Sequence, residues 1–343
     1  MKKKVAVLFG GQSTEHEVSR VSATSVLRNI DLRKYEVYPI GITKDGVWIE
    51  YKGNYDNIEN GAWEKDEFYK VPEGQKILFN KEVDVVLPIL HGLYGEDGTI
   101  QGLCKLLQIP CGGPGVLSSA LCMDKVYTKY VLENFGIKQA DYVVVEKFIF
   151  EKDKEEIINR IENKLGYDVF IKPSNSGSSV GISKAHNREE LIKGLEEALK
   201  FDRKVLVEEA INAREVEVAV LGNDEPIAAV PGEIIPANEF YDFEAKYTNA
   251  ESKLLIPAGI DELALESIKS EAIKIYRILD CAGMARVDFL LDKVTGEFYL
   301  NEINTLPGFT KISMYPKMWQ ASGKKYSDLI DDLIELAIER NNN

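Results

Sequence analysis

The sequence predicts a mixed chain, α/β in its first part and α+β beyond it, in which a parallel N-terminal sheet is followed by a region of different organisation. Strand and helix patterns alternate over the first 120 residues, which is typical of a parallel sheet covered by helices. The pattern changes near Asp124. Because 343 residues exceed what one hydrophobic core usually organises, we expect two or three subdomains with a cleft between them.

Periodicity and composition locate the elements of the N-terminal part. Short apolar runs predict strands at 5–9, 35–42 and 83–90, and a helix is expected from about residue 18 to residue 29. The segment 48–80 is polar and aromatic and has no clear period, so we interpret it as a surface insertion.

The second part begins with a predicted helix at 125–135 and continues with strands and helices at a different spacing. The further predicted strands are 142–145, 169–172, 182–184, 205–208 and 216–221, and the further predicted helices are 154–165, 188–200, 263–279 and 329–338. A long irregular stretch at 236–257 interrupts this region, and loops of that length are usually functional lids or disordered.

Two apolar strands near the C-terminus carry polar residues at every second position. Arg286 and Asp288 would share one face of the first strand, and Glu302 and Asn304 one face of the second. If the strands are neighbours, the two carboxylates repel each other by roughly 4 kcal/mol at about 4 Å, so a cation should lie between them. Two carboxylates and an amide oxygen suit Mg²⁺ with phosphates in its shell, although a salt-bridged pair of edge strands would give the same pattern.

A loop rich in glycine and serine follows the strand that ends with Lys172. Small residues at 173–181 allow backbone N–H groups to turn toward an anion, which indicates a phosphate-binding loop. It is not a Walker motif, because no Gly-Lys-Ser/Thr follows and because a further strand comes next. A Gly/Ser hairpin turn is the alternative, and the lysine before the loop weighs against it.

Charge and composition exclude several classes of protein. The chain has 42 basic and 56 acidic residues, a net charge of −14, which argues against a nucleic-acid partner because such binding depends on clustered positive charge. There is no signal-peptide pattern and no apolar run of 18 residues, so we expect a soluble cytoplasmic protein without a membrane partner. The four cysteines lack C-x-x-C spacing and are expected to be reduced and buried.

Six motifs extend over nearly the whole chain. They are GGQSTEHEVS at 10–19, HGLYGEDG at 91–98, MDK at 123–125, KPSNSGSSVG at 172–181, KY at 246–247 and NEINTLPGF at 301–309. Together they resemble the ATP-grasp carboxylate-amine ligases, and within them the D-alanine–D-alanine ligase family. The resemblance implies an N-terminal ligase domain at 1–124 and a two-subdomain ATP-grasp fold at 125–343, with a small lid subdomain at 125–200 and a metal and ATP subdomain at 201–343.

The activity that the resemblance implies is ATP-dependent ligation of two D-alanines through an acyl phosphate, for peptidoglycan precursors. Its cofactors would be ATP and two Mg²⁺ ions, with Mn²⁺ as a substitute, and Asp288, Glu302 and Asn304 would hold the metal. The family is commonly dimeric, and the sequence leaves open whether this chain forms a homodimer. A D-Ala-D-Ser or D-lactate ligase, a nucleotide-binding sensor without turnover, and a dinucleotide-binding oxidoreductase remain alternatives, although the last lacks the G-x-G-x-x-G motif.

The resemblance also assigns the nucleotide contacts. Lysines would neutralise the phosphates, and the strand that ends near Ile211 would contact the adenine and the ribose. The full set of predicted ATP-binding residues is Lys125, Lys172, Ser178, Ser179, Glu208, Glu209, Ala210, Ile211, Glu215, Lys246, Phe289, Asn301 and Glu302.

Substrate contacts are expected at the ends of the N-terminal strands. The segment 14–17 has the form of a capping box, so Glu15 should lie in the first turn of a helix and bind the amino group of the first D-alanine, although a helix-dipole role is the alternative. His91 follows a strand, where open α/β sheets bind ligands, although a lone histidine is more often structural. The predicted substrate-binding residues are Glu15, Val18, Ser19, His91, Tyr241, Arg286, Gly308, Ser313 and Met314.

The predicted catalytic residues are Glu15, Ser178, Tyr247, Arg286 and Ser313. Arg286, with a backbone N–H near Gly308, would stabilise the oxyanion of the tetrahedral intermediate. The segment 240–247 resembles the family's lid, and Lys246-Tyr247 favours a dipeptide product over an ester. Met314 and Tyr241 would form a pocket for the D-alanine methyl group, which discriminates against a hydroxyl by only about 1–3 kcal/mol.

Overall fold

The N-terminal part of the computed structural model, which describes residues 1–70, 72–177, 180–235 and 253–342, is a parallel sheet covered by helices. Strand β1 pairs in parallel with β2 and β4, and β3 adds to β2 in antiparallel fashion. The parallel sheet that the sequence predicts is thus confirmed. The strands are β1 (Lys3–Gly10), β2 (Tyr35–Ile42), β3 (Trp48–Glu50) and β4 (Val85–Pro88); the helices are α1 (His16–Asn29), α2 (Tyr55–Asn60), α3 (Gly74–Phe79), α4 (Thr99–Leu107) and α5 (Val116–Met123), with 3₁₀ turns at Ala62–Lys65 and Glu67–Lys70.

The prediction of a surface insertion at 48–80 is wrong. Trp63 is fully buried in this segment, and its ring meets that of Phe9 edge to face with the centroids 5.0 Å apart. Tyr51 and Ile58 are buried beside it. The segment therefore closes one side of the first sheet, and its apolar residues escaped detection because short turns separate them and leave no helix or strand period.

The middle part is an antiparallel sheet with helices on its apolar side. The strands follow the order β5-β8-β6-β7, and all of their pairings are antiparallel. Its strands are β5 (Tyr142–Glu146), β6 (Val169–Pro173), β7 (Ser183–Ala185) and β8 (Lys204–Glu209), and its helices are α6 (Lys125–Glu133), α7 (Lys147–Lys152), α8 (Lys154–Leu165) and α9 (Arg188–Ala198). The sequence places all of these except α7 to within a few residues.

A second antiparallel sheet forms the C-terminal part. The strands follow the order β12-β11-β9-β13-β14, and β10 pairs with β9. The strands are β9 (Ala213–Gly222), β10 (Ile227–Ala228), β11 (Gly232–Ile235), β12 (Lys253–Leu255), β13 (Gly283–Asp292) and β14 (Phe298–Asn304), and the helices are α10 (Glu262–Ile278), α11 (Met314–Ala321) and α12 (Tyr326–Asn342). The predicted irregular stretch 236–257 includes β12, while its residues 236–252 lie outside the described part of the chain.

The largest hydrophobic core crosses the predicted boundary at residue 124. Leu329 and Leu333 of α12 are buried together with Val5 and Leu87 of the first sheet. Arg340, near the end of α12, donates a hydrogen bond to the Gly113 carbonyl at 2.6 Å. The end of the chain thus packs against its N-terminal part.

The cysteines agree with the expectation from composition. Cys104, Cys111, Cys122 and Cys281 are buried free thiols, as predicted. No helix in the part of the chain that the structure describes is both long and apolar enough to cross a membrane.

Candidate active site

The two strands with alternating polar residues are neighbours in the C-terminal sheet. Asp288 of β13 stands opposite Glu302 of β14, and Arg286 stands opposite Asn304. The adjacency on which the metal-site interpretation depended is therefore confirmed. Asp288 is buried, and Glu302 is half-buried beside it.

A β-bulge places one additional polar residue at this site. The register shifts between Asp288 and Phe289, so that Asp288 pairs with Glu302 while Phe289 pairs with Leu300. Asn301 is the extra residue of β14, and its side-chain oxygen accepts a hydrogen bond from the Lys172 ammonium at 3.3 Å. Strict alternation would have turned adjacent residues to opposite faces, whereas the bulge turns both Asn301 and Glu302 toward the cleft.

Arg286 lies between two carboxylates. Its Nε and Nη2 atoms donate to the two oxygens of Asp288 at 2.7 and 2.6 Å, and its Nε lies 3.1 Å from an oxygen of Glu217. Burial opposes the guanidinium charge, but Asp288 and Glu217 outweigh it and raise the pKa of Arg286. Glu217 was missed by the sequence reasoning; it lies on β9 directly opposite Asp288, and its signal is the alternation of acidic residues at 215 and 217.

The donor set at these strands fits a hard cation. The Asn304 amide nitrogen donates to Asp288 at 2.9 Å, which leaves two carboxylates and one amide oxygen as candidate ligands. Oxygen ligands of this kind suit Mg²⁺, which keeps water or phosphate in its shell. Within the described ranges, no three His, Cys, Asp or Glu side chains come together in a way that could hold an ion alone. The residues present therefore fit a metal that arrives with phosphate oxygens.

The larger cavity lies between the middle and C-terminal sheets and has a volume of about 710 Å³. It is lined by β6, by the end of β8, by β9 and by the polar strand pair β13–β14. Most of the predicted ATP-binding residues line this cavity: Lys172, Glu208, Glu209, Ala210, Ile211, Glu215, Phe289, Asn301 and Glu302. Phe170 also lines it and was missed, although it lies two residues before Lys172 and therefore on the same face of β6.

Glu208, which lines this cavity, is paired with two lysines. Glu208 accepts from Lys129 through Oε1 and from Lys172 through Oε2, each at 2.7 Å. Burial favours the neutral carboxyl, but the charges of Lys172 and Lys129 outweigh it and lower the pKa of Glu208 to about 2. Lys129 was missed, because a lysine on a helix is usually solvated and its sequence context carries no sign of burial.

The smaller cavity, of about 90 Å³, lies where the N-terminal and C-terminal parts meet. Arg286 and Glu302 line this cavity as well as the larger one, so the two spaces adjoin at these side chains. The predicted residues Glu15, His91, Lys125, Asn304 and Gly308 line it too.

Glu15 is buried at the edge of the smaller cavity between two glycines. A Cβ atom on Gly92 or on Gly177 would each stand only 2.6 Å from a carboxylate oxygen of Glu15. The capping-box prediction is wrong in detail: Glu15 is itself the residue before the helix, and Ser13 Oγ accepts from the Glu15 N–H at 3.1 Å. The glycines permit this close approach, which brings the Gly/Ser loop against the N-terminal part.

His91 joins the N-terminal part to the loop after β14. One ring nitrogen, Nδ1, lies 3.0 Å from the Leu306 carbonyl, and Nε2 lies 3.1 Å from Ser22 Oγ, which accepts from the Phe309 N–H at 3.2 Å. Burial lowers the pKa of His91, so the neutral ring donates to Leu306 and accepts from Ser22. The side chain thus lines the cavity and also fixes the loop that contains Gly308.

Glu96 is a buried carboxyl that the sequence reasoning did not select. It accepts from the Gly92 N–H at 3.0 Å and from the Leu306 N–H at 3.2 Å, and it lines the smaller cavity. Burial, together with the nearby Glu15, raises the pKa of Glu96 to about 8. Its signal was its place in the motif at 91–98.

Lys125 reaches the Gly/Ser loop from the first turn of α6. Its ammonium donates to the Ser176 carbonyl at 2.6 Å. Asp124 caps the helix, accepts from Ser174 Oγ at 2.6 Å and pairs with Lys204 at 2.6 Å. This network attaches the loop to the helix and holds the Lys125 ammonium at the edge of the smaller cavity.

Several predicted substrate-binding residues do not line either described cavity. Ser19 is fully buried, donates to the Ile89 carbonyl and accepts from the Gly10 N–H at 2.8 Å, and Val18 is buried beside it. Met314 is packed in the core, and the described linings of the two cavities do not include it. Ser313 binds Thr310 Oγ1 at 2.8 Å and lies behind Gly308, where a Cβ would meet its oxygen at 2.9 Å.

The remaining predicted site residues lie outside the described part of the chain. They are Ser178, Ser179, Tyr241, Lys246 and Tyr247, together with the whole predicted lid at 240–247.

Comparison with known proteins agrees with this arrangement. Residues 4–114 match the family described as D-ala D-ala ligase N-terminus, and residues 131–335 match D-ala D-ala ligase C-terminus. The chain is 77% identical to the D-alanine–D-alanine ligase of Clostridium novyi and 74% identical to that of Clostridium acetobutylicum, over 342 residues and 100% of both chains in each case.

A solved structure is similar over nearly the same length. The crystal structure of VanG D-Ala:D-Ser ligase from Enterococcus faecalis has a TM-score of 0.87 and 41% sequence identity, and the match covers 98% of this chain and 100% of that one. The predicted fold class, a parallel N-terminal sheet followed by an ATP-grasp fold, is confirmed. From the two family matches and the full-length identity it follows that this chain belongs to the D-alanine–D-alanine ligase family.

Proposed function

We propose that this chain joins two D-alanine molecules in an ATP-dependent reaction that yields D-alanyl-D-alanine, ADP and phosphate. The names of full-length relatives that are 77% and 74% identical support this activity. The observation that carries the proposal is the shared wall of the two cavities, where Arg286 and Glu302 line both spaces. A nucleotide in the larger space and an amino acid in the smaller one would meet at these side chains.

In the first step, the carboxylate of one D-alanine attacks the terminal phosphorus of ATP, and ADP leaves with the electron pair of the broken P–O bond. The product is an acyl phosphate. Phosphoryl transfer of this kind requires positioning and charge neutralisation more than covalent help from the protein. Lys172 at the inner end of the larger cavity and Lys125 at the edge of the smaller one would supply positive charge, and Lys246 would add to it.

Asp288, Glu302 and Asn304 would hold two Mg²⁺ ions, or Mn²⁺ in their place. When bound, the metal would neutralise the negative charge of the phosphates. The residues themselves contribute their arrangement: Arg286 and Asn304 each hold Asp288 by hydrogen bonds, so its oxygens have fixed positions before any ligand arrives.

In the second step, the free amine of the other D-alanine attacks the acyl carbon. A tetrahedral oxyanion forms, the C–O bond to phosphate breaks, and the amine loses a proton to solvent. The Arg286 guanidinium and a backbone N–H near Gly308 would stabilise that oxyanion. Ser313 would act on the second substrate from behind Gly308, and Met314 would act from the core beside Gly232.

Glu15 would bind the ammonium group of the first D-alanine, in a set with Ser178 and Tyr247. Its burial between two glycines supports this role, because a fixed carboxylate in a small cavity selects a small cation. Val18 and Ser19 would contribute by fixing the start of α1.

The lid at 240–247 would exclude water, which otherwise hydrolyses the acyl phosphate. We place the reaction in the cytoplasm, in peptidoglycan precursor synthesis, with a homodimer as the assembly.

Product analysis tests the proposal directly. The chain is incubated with ATP, Mg²⁺ and an equimolar mixture of D-alanine, D-serine and D-lactate, and the products are separated by mass. We expect D-alanyl-D-alanine as the main product, with one ADP released for each dipeptide. A main product that contains D-serine or D-lactate would overturn the substrate assignment, and nucleotide binding without any condensation product would overturn the reaction.

A further inference from the structure

Lys129 is a buried lysine whose ammonium is fully occupied by the protein. It lies 2.7 Å from Glu208 Oε1, donates to the Ala140 carbonyl at 3.2 Å, and stands 4.9 Å from the centre of the Tyr142 ring. The residue is only 3% exposed and lies outside the described linings of the two cavities. An ammonium group has three N–H donors, so these three partners account for all of them. Lys129 therefore has no donor left for a ligand.

Lys172 occupies the other side of the same carboxylate. Its ammonium lies 2.7 Å from Glu208 Oε2 and 3.3 Å from Asn301 Oδ1, and its side chain lines the larger cavity. The two lysines come from different elements, Lys129 from α6 and Lys172 from β6, while Glu208 stands between them on β8. One carboxylate thus has two ammonium partners, which leaves one positive charge uncompensated within this group of three.

The uncompensated charge has a definite location. Lys129 is enclosed on all sides, whereas Lys172 retains 15% of its side-chain surface toward the cavity. Of these two lysines, an anion that enters the cavity can therefore reach only Lys172. Without Lys129, Glu208 and Lys172 would form a neutral pair, and an incoming phosphate would compete with a buried carboxylate for the same ammonium.

We propose that Lys129 is a positioning residue that neutralises Glu208 and so leaves the charge of Lys172 available to a nucleotide phosphate. It acts through Glu208 and never touches the nucleotide. The inference rests on the proposed function, because it assumes that the larger cavity holds a nucleotide. It adds a residue that acts on ATP affinity from behind the cavity wall.

The experiment measures ADP affinity and steady-state kinetics of the full chain with Lys129→Met. In this variant Glu208 keeps Lys172 as its partner, so no buried charge is left unpaired and the chain is expected to fold. We expect the Kd for Mg²⁺-ADP and the KM for ATP to rise about tenfold, with the KM for D-alanine unchanged within about twofold. Should Lys129→Met not fold, Lys129→Gln removes the same charge and retains a donor for the Ala140 carbonyl.

A second variant separates charge balance from packing. Glu208→Gln removes the carboxylate through which Lys129 acts, and because Glu208 is itself a predicted nucleotide contact, Lys129→Met/Glu208→Gln is compared with Glu208→Gln alone. We expect Lys129→Met to leave ADP affinity unchanged within about twofold in the Glu208→Gln background, against the roughly tenfold loss in the parent. A structural role for Lys129 predicts the same loss in both backgrounds, and that result would overturn the proposal.

Lys138→Met is the matched control. Lys138 is also paired with a glutamate, Glu297, and lies 4.7 Å from the centre of a tyrosine ring, Tyr299, but it is exposed and outside both described cavity linings. Its replacement should leave ADP affinity unchanged. Failure of the parent chain to bind ADP would contradict the proposed function, whereas parental affinity in Lys129→Met would contradict this inference alone.

Discussion

The two cavities of this chain are built in different ways. The larger one is lined mainly by strands, β6, β8, β9 and the β13–β14 pair, whose side chains face it at regular intervals. The smaller one is lined mainly by loops and by the ends of helices and strands. They are the residue before α1, the motif at 91–98, the end of the described Gly/Ser loop and the segment 303–308. Strand pairing alone fixes the backbone that lines the larger cavity, whereas the loops that line the smaller cavity are positioned by individual contacts between distant residues.

The difference also concerns charge. In the group of Lys129, Glu208 and Lys172, two ammonium groups face one carboxylate, so Lys172 can offer its charge to a phosphate in the larger cavity. The smaller cavity contains Glu15, Glu96 and Glu302 around Arg286 and Lys125, so it can accept an ammonium group as well as a carboxylate. The cavities therefore select two different ligands, and the side chains they share lie where those ligands would meet.

The largest effect should follow a change at the shared wall. Asp288→Asn keeps the shape of the side chain but removes the charge that a metal would need, and we expect kcat to fall by roughly three orders of magnitude, or about 4 kcal/mol. Phosphate release in the presence of ATP and D-alanine measures it. Asp292→Asn is the control on the same strand, since that side chain only accepts from backbone N–H groups of the β13–β14 turn. Near-parental turnover in Asp288→Asn would refute the metal assignment.

The stability of the chain should depend on pH through Glu96, which lines the smaller cavity. The pKa of Glu96 is raised to about 8 in the folded chain, against an ordinary value of 4.5. The folded state then holds more protons than the unfolded state between these values, so stability is full at low pH and declines as pH rises through the window. We expect Glu96 to lower the free energy of unfolding by about 3 kcal/mol between about pH 5 and pH 7.5, and we expect Glu96→Gln to abolish this decrease.

Thermal melting of the parent chain and of Glu96→Gln at several pH values measures the difference. Burial also lowers the pKa values of His16 and His91, but both titrate in the parent and in the variant, so the difference between the two curves isolates Glu96. Parallel curves would mean that Glu96 is ionised in the folded chain.

Metal should stabilise the larger cavity only together with nucleotide. The described residues provide no cluster of three acidic, histidine or cysteine ligands, so Mg²⁺ alone should bind weakly and leave the melting temperature unchanged. Mg²⁺ with ADP at about 100 times its Kd should stabilise the chain by about 2.7 kcal/mol. Differential scanning fluorimetry with Mg²⁺, ADP and both gives the comparison, and addition of a chelator should reverse the shift. A comparable shift with Mg²⁺ alone would show a preformed metal site.

The smallest of these effects should come from the close approach at Glu15. Gly177→Ala would place a Cβ 2.6 Å from the Glu15 carboxylate and displace it, so we expect the KM for D-alanine to rise about tenfold, or roughly 1.4 kcal/mol, with the KM for ATP less affected. The control is Gly102→Ala in α4, where a Cβ would meet no heavy atom within 4 Å. That change should leave kinetics unchanged and stabilise the helix by about 0.5–1 kcal/mol. Parental D-alanine kinetics in Gly177→Ala would remove Glu15 from the first substrate site.

Most of the larger cavity could be predicted from the sequence. Period-two alternation at 286–288 and 302–304, the lysine before the Gly/Ser loop and the apolar strand before Glu208 all report local backbone geometry, which neighbouring residues determine. Asn301 was predicted only through the family resemblance, because strict alternation would turn it away from Glu302 and a bulge changes which face an adjacent residue occupies.

The smaller cavity could be predicted only in outline. Motif resemblance selected Glu15, His91 and Arg286, but their partners come from distant parts of the chain: His91 meets the Leu306 carbonyl across 215 residues, and Glu96 meets the Leu306 N–H across 210 residues. The prediction for segment 48–80 was wrong for the same reason, since Trp63 packs against Phe9, which lies more than 50 residues before it.

The amino-acid sequence by itself determined most of the strands, the longer helices and the alternation of polar side chains on the β13–β14 pair, because these follow from interactions a few residues apart. The tertiary structure alone decided which carboxylates are charged and which lysine can bind an anion. Glu96 and Glu208 are both buried glutamates, yet one has a raised pKa and the other a lowered one. The reason is that folding places different charges next to them: another carboxylate, Glu15, lies near Glu96, and two ammonium groups lie next to Glu208.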